Sequence, residues 1–370
     1  MSEIMTAGGE LPLAAYHRRQ GASFAPAGSG VPGGDVAAPL HYGSVADEYA
    51  ALRRGCGLLD CSWVGRLELT GADRLRFLNA YLTCDVKSVG AGQGAYGFAT
   101  SPQGRILADA VLLAQQDRLW MELPAGAEAA VAQHLGKFII ADRVEIRPLE
   151  EMLPLTLIGP RAASALREAL DDEAAGELPA ELWQHRRARI HGLEVTLQRR
   201  GRRGEEAWAV WVSTADAEAL IGKLAELPGV RLAGSAAAEM VRVEAGIPRF
   251  GLDFGPQNFP QETGEETAVS YAKGCYLGQE VVARIHYRGG VQKALRGLVF
   301  SGTDGPPAAG TPLLYEGREA GGSGSAVESP ALGMPAGLAI LHRRAAEPGT
   351  RLDLASGGTA EVRELPLVRP

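Results

Sequence analysis

The densest concentration of reactive side chains is Lys273-Gly-Cys-Tyr-Leu-Gly-Gln-Glu280, which runs on into Val281-Val-Ala-Arg284. A cysteine flanked by Gly274 and two residues from Lys273 has what a nucleophilic thiol needs: backbone open to approach, and a cation that favours thiolate over thiol. Cys275 and Lys273 are therefore the candidate catalytic pair. Gly274, Tyr276, Gly278, Gln279 and Glu280 would shape the loop, the last two adding an amide and a carboxylate within a few residues. The other cysteines, Cys56, Cys61 and Cys84, lie among Leu58, Leu59, Trp63, Leu82 and Val86 and read as core thiols. The Cys56-to-Cys61 interval is not a usual zinc spacing, so no metal site is expected.

Upstream elements must place that loop. The Val241–Asp253 stretch reads as a helix closing at Gly246, with Pro248 preventing its continuation, and Glu262 follows a Phe259-Pro260 turn. Earlier in the chain, Val64 to Thr70 alternates as a half-buried strand does, and residues 71–82 switch to helical spacing. Strands over 105–114 and 118–123, a helix over 127–138 and a strand over 143–147 complete the order β-α-β-β-α-β. The order recurs as a strand at 155–158, a helix at 161–170, strands at 189–197 and 207–212, a helix at 215–227 and a strand at 230–232. Beyond Gly290 the helical spacing stops, and short apolar runs alternate with Gly/Pro turns. The expected fold class is α+β: two ferredoxin-like units with a cleft between them, followed by a C-terminal all-β barrel. The expected segments are 1–45, carrying a Gly/Pro/Ala-rich linker at 21–39, then 46–150, 151–290 and 291–370.

The balance of 37 Lys+Arg against 44 Asp+Glu, a net charge of −7 over 370 residues, argues against nucleic acid as a bulk partner. Met1–Leu13 lacks the basic-then-apolar pattern of a secretory leader, and no apolar run reaches the ~20 residues of a membrane span. Four cysteines without a framework spacing suit a reducing compartment, so a cytoplasmic monomer without membrane contact is expected.

The eight residues from Lys273 to Glu280 resemble the signature of the YgfZ family of folate-binding proteins, which includes a mitochondrial iron–sulfur assembly factor. Glu244-Ala-Gly-Ile-Pro248 is similar to that family too, and the family shares its fold with the glycine cleavage T-protein, a folate-dependent aminomethyltransferase. Pro39–Ser44, Gly57–Ser62 and Phe77–Asp85 look like segments of that shared fold, so the resemblance spans nearly the whole chain. It implies a cleft for tetrahydrofolate or a one-carbon derivative of it.

As the main expectation, the resemblance implies a folate-binding protein supporting iron–sulfur cluster assembly or repair, with client iron–sulfur proteins as partners and Cys275 beside the folate. The alternative is an aminomethyltransferase. T-proteins carry two consecutive acids where this chain has Ala108-Asp109, the first being tied to transfer, and an Asn where it has Glu122. Carboxylates can accept a pterin's N–H pairs, aromatic faces can stack on the ring and arginines can hold the anionic tail. Asp109, Glu262, Trp63, Arg242 and Arg249 are the candidate folate contacts.

Overall fold

The structure, a computed structural model, describes residues 10–24, 38–171 and 177–369. Most of the Gly/Pro/Ala-rich stretch expected as a linker, residues 25–37, lies outside the described residues. In chain order the first elements are α1 (Ala14–Arg19), β1 (Ser23–Phe24), β2 (Pro39–His41), α2 (Val45–Arg54), β3 (Cys56–Asp60), β4 (Gly65–Thr70) and α3 (Arg74–Asn79). Then come β5 (Gly94–Thr100), β6 (Ile106–Ala114), β7 (Arg118–Leu123), α4 (Glu128–Gly136) and β8 (Glu145–Pro148). The middle of the chain forms β9 (Met152–Ile158), α5 (Ala162–Ala169), β10 (His185–Ile190), β11 (Leu193–Arg199), β12 (Ala207–Ser213), α6 (Ala217–Ala225), β13 (Val230–Leu232) and α7 (Ser235–Glu244).

These elements contribute to two compact units. The first takes the described residues up to Arg74, with Val89–Ala95 and Val111–Glu239. Its six-stranded sheet runs β10-β11-β12-β9-β3-β13. Strand β3 is buried at every position, as a strand covered on both faces must be, and pairs antiparallel with β9 and parallel with β13. Leu166 of α5 and Leu220, Ile221 and Leu224 of α6 close one face over Leu155, Leu157 and Val210. In a second sheet, β4 pairs with β7 and β8, and β7 pairs with the Val111–Ala114 end of β6. Glu68 of β4 is buried because Arg118, Arg147 and the Trp120 indole N–H all donate to it.

The second unit takes Leu75–Ser88, Tyr96–Ala110 and Met240–Pro370. A 3₁₀ turn at Pro260–Thr263, α8 (Gln279–Arg284) and a π turn at Ile285–Gly289 precede its sheet. That sheet comprises β14 (Lys293–Ser301), β15 (Pro312–Tyr315), β16 (Arg318–Gly322), β17 (Ala326–Ser329), β18 (Met334–His342), β19 (Arg351–Leu354) and β20 (Thr359–Arg363). The order β16-β15-β19-β20-β14-β18-β17 makes a curled antiparallel half-barrel around Leu298, Phe300, Leu313, Leu341, Leu352 and Val362.

The mixed class and the all-β C-terminus are as expected, and three elements differ from the sequence reading. The strand expected over 189–197 is a hairpin: His191 and Gly192 both have positive φ, +49° and +81°, which builds a two-residue turn between β10 and β11. Strand β5 was not anticipated, because Gly94 and Gly97 interrupt its apolar pattern. Strand β3 joins the sheet of β9 rather than that of β4, so the six-stranded sheet is wider than one β-α-β-β-α-β run supplies.

Candidate active site

In the second unit, β5 and β6 meet at the turn Ser101–Gly104, closed by the Gly104 N–H donating to the Ser101 carbonyl at 2.8 Å. Alternation along β6 decides what each side chain can do. Ala108 is fully buried and Ala110 nearly so, while Asp109 between them is half-buried on the opposite face. There the Tyr96 hydroxyl of β5 donates to Asp109 Oδ2 at 2.9 Å. Beneath Tyr96, the buried Phe98 meets Phe254 edge-on at 5.9 Å between centroids, and Phe250 meets Phe254 at 5.7 Å. This aromatic ladder gives the carboxylate a rigid, apolar support.

The loop from Lys273 to Gly278 packs on the same turn. The Thr100 hydroxyl donates to the Leu277 carbonyl at 2.6 Å, and the Leu277 N–H to the Ala80 carbonyl at 2.9 Å. Gly278 has φ +84°, and a Cβ there would stand 2.4 Å from the Ser101 carbonyl oxygen, so only glycine fits. Gln279 Oε1 accepts the Tyr276 N–H at 3.3 Å and holds the loop's end. Glu280 is exposed and pairs with Arg284 one turn on.

Lys273 commits its ammonium to the carbonyls of Leu82 at 2.7 Å and Cys84 at 2.6 Å, with the Tyr276 ring centroid 5.0 Å away. Burial lowers its pKa to about 8. The thiol that feels this cation is Cys84, which burial pushes up to about 11 against Lys273's opposing pull. Cys275 stands exposed beside Gly274. Tyr276 is buried, yet its hydroxyl has no hydrogen-bond partner among the described residues.

The remaining expected contacts are built into the fold. Glu262 accepts Asn258 Nδ2 at 2.8 Å and the Phe259 N–H at 3.3 Å, bracing the 3₁₀ turn. Arg242 donates to the Ile247 carbonyl, to Asp253 Oδ2 at 2.9 Å and to the Ser325 hydroxyl, while the Arg249 N–H donates to Asp253 at 2.8 Å. Trp63 belongs to the first unit, packed on Leu11, Ala14 and Ala38. Asp109 therefore differs from the others: it lies half-buried on a strand face, where the Tyr96 phenol donates to it, instead of being absorbed by a turn. Tyr96 and Phe98 were missed by sequence reasoning, although their spacing of two on a strand was the available signal.

The first unit carries its own buried polar groups. His17, fully buried, bonds Asp60 Oδ2 through Nε2 at 2.9 Å and the Tyr42 hydroxyl through Nδ1 at 2.7 Å. Glu122 pairs with Arg200, and its second carboxylate oxygen is buried without a partner. Burial pushes the nearby Cys61 thiol up to about 11 and the Cys56 thiol up to about 12. Among the described residues no group of three or more His, Cys, Asp or Glu could hold a metal ion, and no helix is long and apolar enough to cross a membrane.

The paired αβ sheets and the curled C-terminal sheet define a protein of the glycine cleavage T-protein fold. Residues 13–273 match the GCVT N-terminal domain model, and the chain belongs to that family. It is 31% identical to the aminomethyltransferase of Rubrobacter xylanophilus, covering 82% of this chain and 80% of the relative. To that of Streptomyces avermitilis it is 28% identical, covering 91% and 90%. The crystal structure of glycine cleavage system aminomethyltransferase T from Bartonella henselae superposes with a TM-score of 0.86 at 25% identity, covering 98% of each chain. These relatives overturn the main expectation, a protein supporting iron–sulfur cluster assembly or repair. The resemblance of Lys273–Glu280 to the YgfZ signature is local, whereas the likeness to aminomethyltransferases runs through nearly the whole chain.

Proposed function

We propose that this chain is a folate-dependent aminomethyltransferase, moving a one-carbon unit from an aminomethyl donor to tetrahydrofolate, with Asp109 as its acid–base residue. The observation that carries this is the Asp109 carboxylate, oriented by the Tyr96 hydroxyl at 2.9 Å on a half-buried strand face. The alanine that stands in place of the first T-protein acid is no obstacle to that role. Ala108 is fully buried, whereas Asp109 is half-buried on the opposite face, so Asp109 is the carboxylate this strand offers for proton transfer.

Tetrahydrofolate suits the residues present. A reduced pterin offers N–H donors to a carboxylate and a flat face to aromatic rings, and the buried, unpartnered Tyr276 hydroxyl is a donor left for an acceptor on a bound molecule. When bound, tetrahydrofolate supplies the nitrogen that accepts the one-carbon unit. Asp109 takes up and returns the proton that this exchange moves, while Tyr96 keeps one carboxylate oxygen fixed. The ladder of Phe98, Phe254 and Phe250 keeps the strand rigid beneath them. Cys275 has no part in this chemistry.

The experiment is direct: purified protein, aminomethyl-lipoyl carrier protein and tetrahydrofolate, with methylenetetrahydrofolate and ammonia as the products measured. Turnover that survives in Cys275→Ala and is lost in Asp109→Asn is the expected result. Absence of product from the unsubstituted protein overturns the reading.

A further inference from the structure

We propose that the turn following α8 is a recognition shelf for an aromatic ring bearing several carboxylates, namely the p-aminobenzoyl-oligoglutamate end of a folate. This deepens the folate reading above and rests on it. Three rings are assembled there. Tyr271 and His286 stack with centroids 3.8 Å apart and planes 17° apart, and Tyr287 meets Tyr271 and His286 edge-on at 6.1 and 4.8 Å. The cluster is held from below: Gln261 Nε2 donates both to the Tyr271 hydroxyl at 3.2 Å and to the Val282 carbonyl of α8 at 2.7 Å. The π turn over Ile285–Gly289 widens the helix end, and His286 and Tyr287 are exposed on it, Tyr287 at 68%. A supported ring left this open in water is unusual for packing alone.

Charge selects the occupant. From Val281 to Thr303 the chain carries Arg284, Arg288, Lys293 and Arg296 and not one acid, in a protein whose net charge is −7. Arg284 is paired with Glu280, and Arg296 donates to the carbonyls of Ala346 and Leu295. Arg288 and Lys293 are exposed and have no ion-pair or hydrogen-bond partner among the described residues. Arg288, next in the chain to Tyr287, and Lys293, five residues further on, suit a ligand that joins a π face to more than one carboxylate. Position agrees, because the chain entering the shelf, Tyr276–Gly278, packs on the turn between the strands that carry Tyr96 and Asp109.

The test uses the full chain and a probe that lacks the pterin, so that it does not depend on the catalytic reading. Calorimetry is run with p-aminobenzoyl-triglutamate, p-aminobenzoyl-glutamate and a ring-free tetraglutamate peptide. The triglutamate probe is expected to bind most tightly. Tyr287→Ala and Arg288→Ala, both at exposed positions and checked by melting temperature, should each weaken it about fivefold. Failure of the triglutamate probe to bind overturns the shelf, as does equal binding of the ring-free peptide or unchanged affinity in both variants. Probe binding without any methylenetetrahydrofolate formation would keep the shelf and remove the transferase reading.

Discussion

Two neighbouring residues on one strand behave oppositely, because Asp109 faces a phenol and Ala108 the core. Asp109→Asn should lower the transfer rate by about 10²–10³-fold with an unchanged melting temperature, the usual range for loss of a positioned acid–base group. Ala108→Asp should instead destabilise the fold by about 3 kcal/mol or more, read by urea unfolding, since a carboxylate at this fully buried position would be taken out of water. The cysteines divide the same way. At pH 8 a thiol reagent should label Cys275 first, while Cys56, Cys61 and Cys84, raised to between about 11 and about 12, remain thiols until unfolding. Lys273 contributes a pH dependence of known sign. Its folded pKa of about 8 lies below the ordinary 10.5, so the unfolded chain holds more protons between those values. Stability from this residue therefore rises with pH across that window, by up to about 2 kcal/mol after allowing for its remaining contact with water. The buried thiols act oppositely above pH 9, so the quantity to read is the difference from Lys273→Met in urea midpoints at pH 8 and pH 10.

At the scale of elements, the loop from Lys273 to Gly278 is legible in sequence as unusual, but its role is not. Gly274 and Gly278 both read as loop glycines, yet only Gly278 has positive φ together with a close backbone neighbour. Gly278→Ala should cost roughly 1–3 kcal/mol and weaken folate binding together with stability, whereas Gly274→Ala should be nearly neutral in thermal melts. The expectation that Lys273 activates Cys275 came from their spacing in the chain. In the fold the lysine reaches backbone carbonyls of the Leu82–Cys84 segment, and that segment lies almost two hundred residues away in sequence. The hairpin of β10 and β11 escaped notice for a related reason: a two-residue turn at His191-Gly192 barely interrupts the strand pattern.

For the molecule as a whole, the second unit depends on one buried carboxylate. Asp253 accepts from Arg242, the Arg249 N–H and both the N–H and hydroxyl of Ser325, tying the segment after α7 to the C-terminal sheet. Asp253→Ala removes the fully buried carboxylate that the largely buried Arg242 meets at 2.9 Å. A loss of about 3–5 kcal/mol is expected, measured as a fall in the urea midpoint. Asp253→Asn, which keeps the shape and part of the hydrogen bonding, should lose less.

The sequence by itself determined the αβ class, the β-rich C-terminus, the helix end at Gly246 and the candidacy of Asp109. Those features follow from local periodicity and from residue types with narrow backbone preferences. Only the tertiary structure decided which carboxylates are available for chemistry. As sequence letters Asp109, Glu262, Glu122 and Asp253 are all simply carboxylates, and they differ in the donors that the fold brings to them. Tyr96 donates to Asp109, Asn258 to Glu262, Arg200 to Glu122 and Ser325 to Asp253. Apart from the local Asn258–Glu262 pair, such pairings are set by strand register and chain crossing, quantities that no local pattern encodes.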